Sequence, residues 1–206
     1  MADVTPKRWF LPEEQDVLGL LSDQLAVTTE GVEAFAEWAG GGAQTASELR
    51  EIEDRGDLAK RDLLKALQTA FVTPLEPEDL FTLSRGIDWI LNGVSELVGE
   101  SEVLEWGPDP GIAELAGLLA AAVHELDAAI GQLGSSADRA TAAADRAIGE
   151  VRGLHQAYYR GLAQTLEREE RDERIALREL YRRLARIGET VVDVAERVVY
   201  AVVKES

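Results

Sequence analysis

Three pairs of side chains able to hold a hard cation stand four residues apart in this chain: Glu53 with Asp57, Asp88 with Asn92, and Glu189 with Asp193. Four residues is close to one helical turn, so on helices each pair would point from neighbouring turns of one side. Carboxylate and carboxamide oxygens suit Mg²⁺, Mn²⁺, Fe or Ca²⁺ better than a thiol-seeking ion. Two like charges at this spacing disfavour a helix by only about 0.2–0.5 kcal/mol, which a bound cation would reverse. The same spacing also decorates solvated faces, and a chain with 39 acidic residues offers many such pairs. Spacing alone leaves both readings open.

The elements that must carry these pairs read as six helices. The third is the best marked. Pro74 and Pro77 open it, and Leu80, Leu83, Ile87, Leu91, Val94 and Val98 recur at steps of three and four to an end near Gly99. The first is predicted from about Glu13, after Pro12, to Ala39 and stops at Gly40-Gly41-Gly42. The second begins after Thr45 or Ser47 and runs to about Phe71; Ser47 with Arg50 is no capping box. ESEVLEWGPDPG reads as the main connection between halves, since Gly107, Pro108, Pro110 and Gly111 do not continue a helix cheaply. The fourth helix follows, from about Gly111 to Leu133, and the fifth from about Ala137 to Glu169. A bend is expected in EREERDER. The sixth runs to about Lys204 with the stripe Leu180, Leu184, Ile187, Val191, Val194, Val198 and Val202. Short connections between long amphipathic helices predict antiparallel neighbours in an all-α bundle.

Composition narrows the partners. A net charge of −18 repels nucleic-acid backbones and anionic membranes, and favours cations or basic protein surfaces. The absence of cysteine excludes disulfides and thiolate ligation. No run reaches the roughly twenty apolar residues of a membrane span, and MADVTPKRWFLPEEQ holds no apolar run of signal-peptide length. The expectation is a soluble cytoplasmic protein, at most peripheral to the membrane through a partner, with self-association open.

The six helices fall into two copies of a three-helix unit, about residues 1–106 and 107–206. An offset of about a hundred residues carries Asp88 and Asn92 onto Glu189 and Asp193, and Leu83 and Arg85 onto Leu184 and Arg186. Helical phase, at about 100° per residue, puts all three pairs outside the apolar stripes, so they are predicted to lie on an outer face. The fifth helix should bear a fourth pair, but EVRGLHQAYYR offers only Glu150, His155 and two tyrosines. Trp89 also points away from its stripe, which fits a protein contact or partial cover by a neighbouring helix.

These segments resemble a known family. RIGETVVDVAERV is similar to the R-I-G-D-x-x-x-N-x-A-E signature of PhoU proteins. FVTPLEPEDLFTLSRGIDWILNGV resembles the F-T-P-F-D-R-E-D-I…L-D-D-V-x-D signature of the PhoU-like proteins that accompany Pit-type phosphate transporters. RWFLPEEQ and ELREIEDRGD resemble that group's opening and its second helix. The resemblance implies a PhoU-like six-helix bundle of two three-helix repeats, a role in regulating phosphate uptake, and metal (Fe, Zn or Ni) on acidic helix faces. The matching ligand positions are Glu53, Asp57, Asp88, Asn92, Glu189 and Asp193. The expected partner is the transporter's cytoplasmic loops, which tend to be basic. Trp89 stands where the group has a second aspartate, Asn92 replaces an acid, and Tyr159 replaces an aspartate, so one of two metal sites is expected to be weakened.

Other functions fit less well. A ferritin-like enzyme wants Glu-x-x-His, and neither His124 nor His155 has glutamate three residues before it. No phosphate-cradling glycine loop or Ser–His–Asp set is present, so a regulator rather than an enzyme is expected. A metal-free helical scaffold with a degenerate site is the alternative.

Overall fold

The computed structural model describes residues 16–43 and 45–204. Six helices make up the order: α1 (Val17–Ala39), α2 (Ala46–Thr69), α3 (Pro77–Leu104), α4 (Pro110–Ile130), α5 (Ala137–Thr165) and α6 (Arg171–Lys204). No strand occurs among the described residues. RWFLPEEQ, and with it the predicted start of the first helix at Glu13, lies outside them.

Local chemistry sets the boundaries. Side chains of Asp16, Asp109 and Ser136 accept the backbone N–H of the third residue beyond them, at the starts of α1, α4 and α5. Such caps contribute about 1 kcal/mol each. At α2 the box is Thr45 with Glu48, not Ser47 with Arg50. Glu48 N–H donates to Thr45 Oγ1 at 3.2 Å and Thr45 N–H to Glu48 Oε2 at 2.7 Å. Pro77 takes the first position of α3, while Pro74 stays in the preceding turn. Helix α3 outlasts its expected end near Gly99 by five residues. One glycine does not stop a helix, and no second breaker appears before Gly107; Glu105, at φ 58°, closes it.

Two antiparallel three-helix units pack together. In the first, α2 touches only α1 and α3; in the second, α5 touches only α4 and α6. The units join through α1 against α4 and α3 against α6. Both joins are antiparallel: Leu18 lies at Gly134 and Glu33 meets His124, while Asp79 meets Arg197 and Glu100 meets Arg183. All six helices share one apolar core.

Small residues permit the closest approaches. A Cβ at Gly93 would come within 2.8 Å of Ile187 Cγ1, and one at Gly86 would run into Val194, so these glycines let α3 and α6 close on each other. Each half also drives one large side chain between two glycines. Leu91 of α3 wedges between Gly31 and Gly56; Tyr181 of α6 wedges between Gly111 and Gly161.

Candidate functional site

Helix α3 is packed on three sides, by α1, α2 and α6. That burial changes what its polar residues must do. Asp88 is only 5% exposed, so the expectation that it lies outside the core does not hold. The reason is tertiary. Its helical phase places it beside the stripe facing α1, but α2 covers that flank.

A buried carboxylate needs a counter-charge. For Asp88 it is Lys60 of α2, whose Nζ donates to Asp88 Oδ2 at 2.5 Å. Asn92 Nδ2 approaches the same oxygen at 3.5 Å. Two turns farther along the seam, Glu53 Oε2 accepts from Ser95 Oγ at 2.7 Å. Ser95 and Asp88 are separated by about 10 Å of helical rise, so one ion cannot bridge Glu53 and Asp88. Asp57 is exposed to solvent.

The α6 pair behaves differently. Glu189 and Asp193 are exposed and line a groove of about 660 Å³ between α3 and α6. Asn92, Trp89 and Glu96 line its α3 side, and Arg182, Arg183 and Arg186 share the α6 side. The α3–α6 packing therefore brings Asn92, Glu189 and Asp193 to one groove, and leaves Glu53, Asp57 and Asp88 on the α2–α3 seam. Arg182 is held by Glu179 at 2.5 Å, and its hydrogen bonds keep the Glu179 carboxyl below its ordinary pKa. Arg183 reaches Glu100 at 3.1 Å and Glu96 at 3.7 Å. Trp89 is 57% exposed, with the Arg85 guanidinium 5.2 Å from its ring. Across α6, His155, Tyr158 and Tyr159 of α5 form a second hollow with Arg186 and Glu189. The missing fourth acidic pair is thus replaced by aromatic and imidazole groups.

Among the described residues, no three His, Cys, Asp or Glu side chains come together in a way that could hold a metal ion. Placing a divalent ion beside Lys60 would also cost roughly 4 kcal/mol per unit of its charge at ~4 Å and an effective dielectric of ~20. The donor set does not fit the multinuclear centre that the resemblance implies.

Sequence reasoning missed Lys60 and a second buried carboxylate, Asp79. Lys60 follows Glu53 by seven residues and Asp57 by three, which already puts it on their helical face. Asp79, the other buried carboxylate among the described residues, is bound by Arg197 Nη1 at 2.9 Å and Lys204 Nζ at 3.5 Å. Arg197 and Lys204 also sit over the Tyr200 ring, 5.3 and 5.6 Å from its centre. Nothing local in sequence announces that pairing, across 118 positions.

This architecture has solved counterparts. A PhoU-like protein from Shewanella oneidensis superposes with a TM-score of 0.75 at 15% identity, covering 92% of this chain and all of the other. A second Shewanella oneidensis protein, described as a "putative PhoU-like phosphate regulatory protein", gives 0.75 at 16% identity, covering 94% and 99%. The fold is PhoU-like. In sequence, the chain is 24% identical over 201 residues to a Rhizobium meliloti protein named "Putative pit accessory protein", covering 93% of this chain and 94% of that one. It is also 34% identical over 58 residues to the UPF0111 protein YkaA of Bacillus subtilis, a match spanning 28% of each chain. No protein-family model matches the chain. The sequence resemblance to PhoU-like Pit accessory proteins agrees with both kinds of relative.

Proposed function

We propose that this protein is a regulatory accessory protein of Pit-type inorganic phosphate transport, working by docking on the transporter rather than by catalysing a reaction. The observation that carries this reading is the near full-length similarity to the Rhizobium meliloti protein, joined to the PhoU-like fold. No helix among the described residues is long and apolar enough to cross a membrane, so the contact runs through surfaces that face solvent. The docking face is the α3–α6 groove. Its carboxylates Glu96, Glu189 and Asp193 stand beside Arg182, Arg183 and Arg186, so it offers a partner charges of both signs, next to an exposed Trp89 indole that already carries Arg85.

The metal-regulated version of this role is the weaker one, because Lys60 already satisfies Asp88. The scaffold reading, in which the fold works by contact alone, fits the α2–α3 seam better.

The test is the affinity of the purified chain for a Pit-type transporter reconstituted in nanodiscs. Wild type is expected to bind, and Glu189→Lys with Asp193→Lys to lose at least about tenfold in affinity, since one rim charge pair contributes on the order of 1 kcal/mol. Binding that ignores both reversals and Trp89→Ala would remove the groove from the account. Failure of wild type to bind would remove the transporter.

A further inference from the structure

Asp88 occupies a position where the family resemblance calls for a metal ligand, yet its carboxylate is buried and already neutralised from within the chain. The cation is Lys60 of α2, on the same helical face as Glu53 and Asp57. Its ammonium lies at hydrogen-bonding distance from Asp88 Oδ2, and the Asn92 carboxamide turns its nitrogen, not its oxygen, toward that same atom. At 3.5 Å the Asn92 contact is at the limit of a hydrogen bond, so Lys60 is the partner that neutralises Asp88.

We propose that Lys60 is the resident cation of the α2–α3 seam: its ammonium stands in the place of a divalent ion, and this seam needs no metal to fold or to work. Asp79 follows the same rule in the first turn of α3, where Arg197 and Lys204 supply the charge. Both buried carboxylates among the described residues are therefore compensated by side chains from a neighbouring helix. The assignment rests on the α2–α3 geometry and is independent of the transporter reading.

It has a constructive corollary. Reversing the charge at Lys60 would place a carboxylate against Asp88, with Asn92 and Asp57 one turn away, and would turn a metal-free seam into a divalent-ion site. Lys60→Glu should then be less stable than wild type in chelator, and added ion should restore it.

The experiment uses the full chain, with Mn²⁺, Ni²⁺ and Zn²⁺ each added alone after chelation and dialysis. Bound ion per chain is measured by elemental analysis, and the thermal midpoint is recorded with and without ion. Wild type is expected to retain no ion that Asp88→Asn loses, and to show no midpoint rise that depends on Asp88. Lys60→Glu is expected to gain at least about 2 °C with ion, the shift for roughly 1 kcal/mol in a chain of this size. Lys60→Arg keeps the charge and should behave as wild type, which separates loss of the cation from damage to α2. An ion held by wild type and lost in Asp88→Asn would overturn the proposal. If Lys60→Glu does not fold, the comparison of wild type with Asp88→Asn decides alone.

Discussion

The α2–α3 and α5–α6 seams occupy equivalent places in the two halves, yet they handle charge in opposite ways. On the first, Asp88 is buried and clamped by Lys60, and Glu53 is held by Ser95. On the second, Glu189 stays exposed in a hollow it shares with His155, Tyr158 and Tyr159 of α5 and with Arg182 and Arg186 of its own helix. The difference follows from desolvation. A carboxylate kept in water needs no dedicated partner, whereas one taken out of it destabilises the fold unless a cation follows it in. The wedges differ in the reverse sense, with the apolar one in the first half and the polar one in the second. Leu91, between Gly31 and Gly56, is wholly apolar; Tyr181, between Gly111 and Gly161, carries a hydroxyl that donates to Asp109 Oδ1 at 2.7 Å.

The largest expected effect is at the apolar wedge. Leu91→Ala removes a 2% exposed side chain from between two glycines that cannot fill the gap, and should cost about 3 kcal/mol by denaturant unfolding. Lys60→Met comes next, at roughly 2 kcal/mol, because it strands the Asp88 carboxylate. That figure sits below the usual cost for breaking a fully buried pair because Lys60 is itself 28% exposed. Tyr181→Phe should cost about 1 kcal/mol through the lost hydrogen bond.

Tyr181 also gives a pH signature. Burial, and then the hydrogen bond to Asp109, push its phenol above the ordinary value. The folded phenol holds its proton more tightly than the unfolded one, whose pKa is about 10. This contribution to stability is therefore intact below about pH 10 and falls as pH rises beyond it. A stability–pH curve of Tyr181→Phe should lack that part of the alkaline decline. Smallest of all is Glu189→Ala, within about 0.5 kcal/mol of wild type, because the side chain is exposed. A cost near that of Lys60→Met would erase the distinction between the seams.

Much of the scaffold was legible from local chemistry. Pro77, the glycines after Ala39 and the three-and-four spacing of leucines on the third helix mark real boundaries and a real core face. The end of α3 lies beyond Gly99 because a single glycine costs a helix only about 1 kcal/mol and does not stop it. The candidate site was legible only in part. The acidic residues do lie on helices, and Trp89 is exposed as its phase predicts. Helical phase within one helix, however, does not reveal which flank a second helix will cover, so the burial of Asp88 could not be read from α3 alone. Lys60 was within reach, since it continues the spacing of Glu53 and Asp57. The Asp79–Arg197 pair was not, because it exists only once α3 and α6 run antiparallel.

The central claim is that a buried carboxylate on α3 is held by a lysine from α2. A double-mutant cycle tests it most directly, using Lys60→Met, Asp88→Asn and the two together, followed by denaturant unfolding in chelator. The account predicts that the double variant is more stable than Lys60→Met alone, with a coupling of at least about 1 kcal/mol. Strictly additive costs, with Lys60→Met as mild as an exposed substitution, would contradict it.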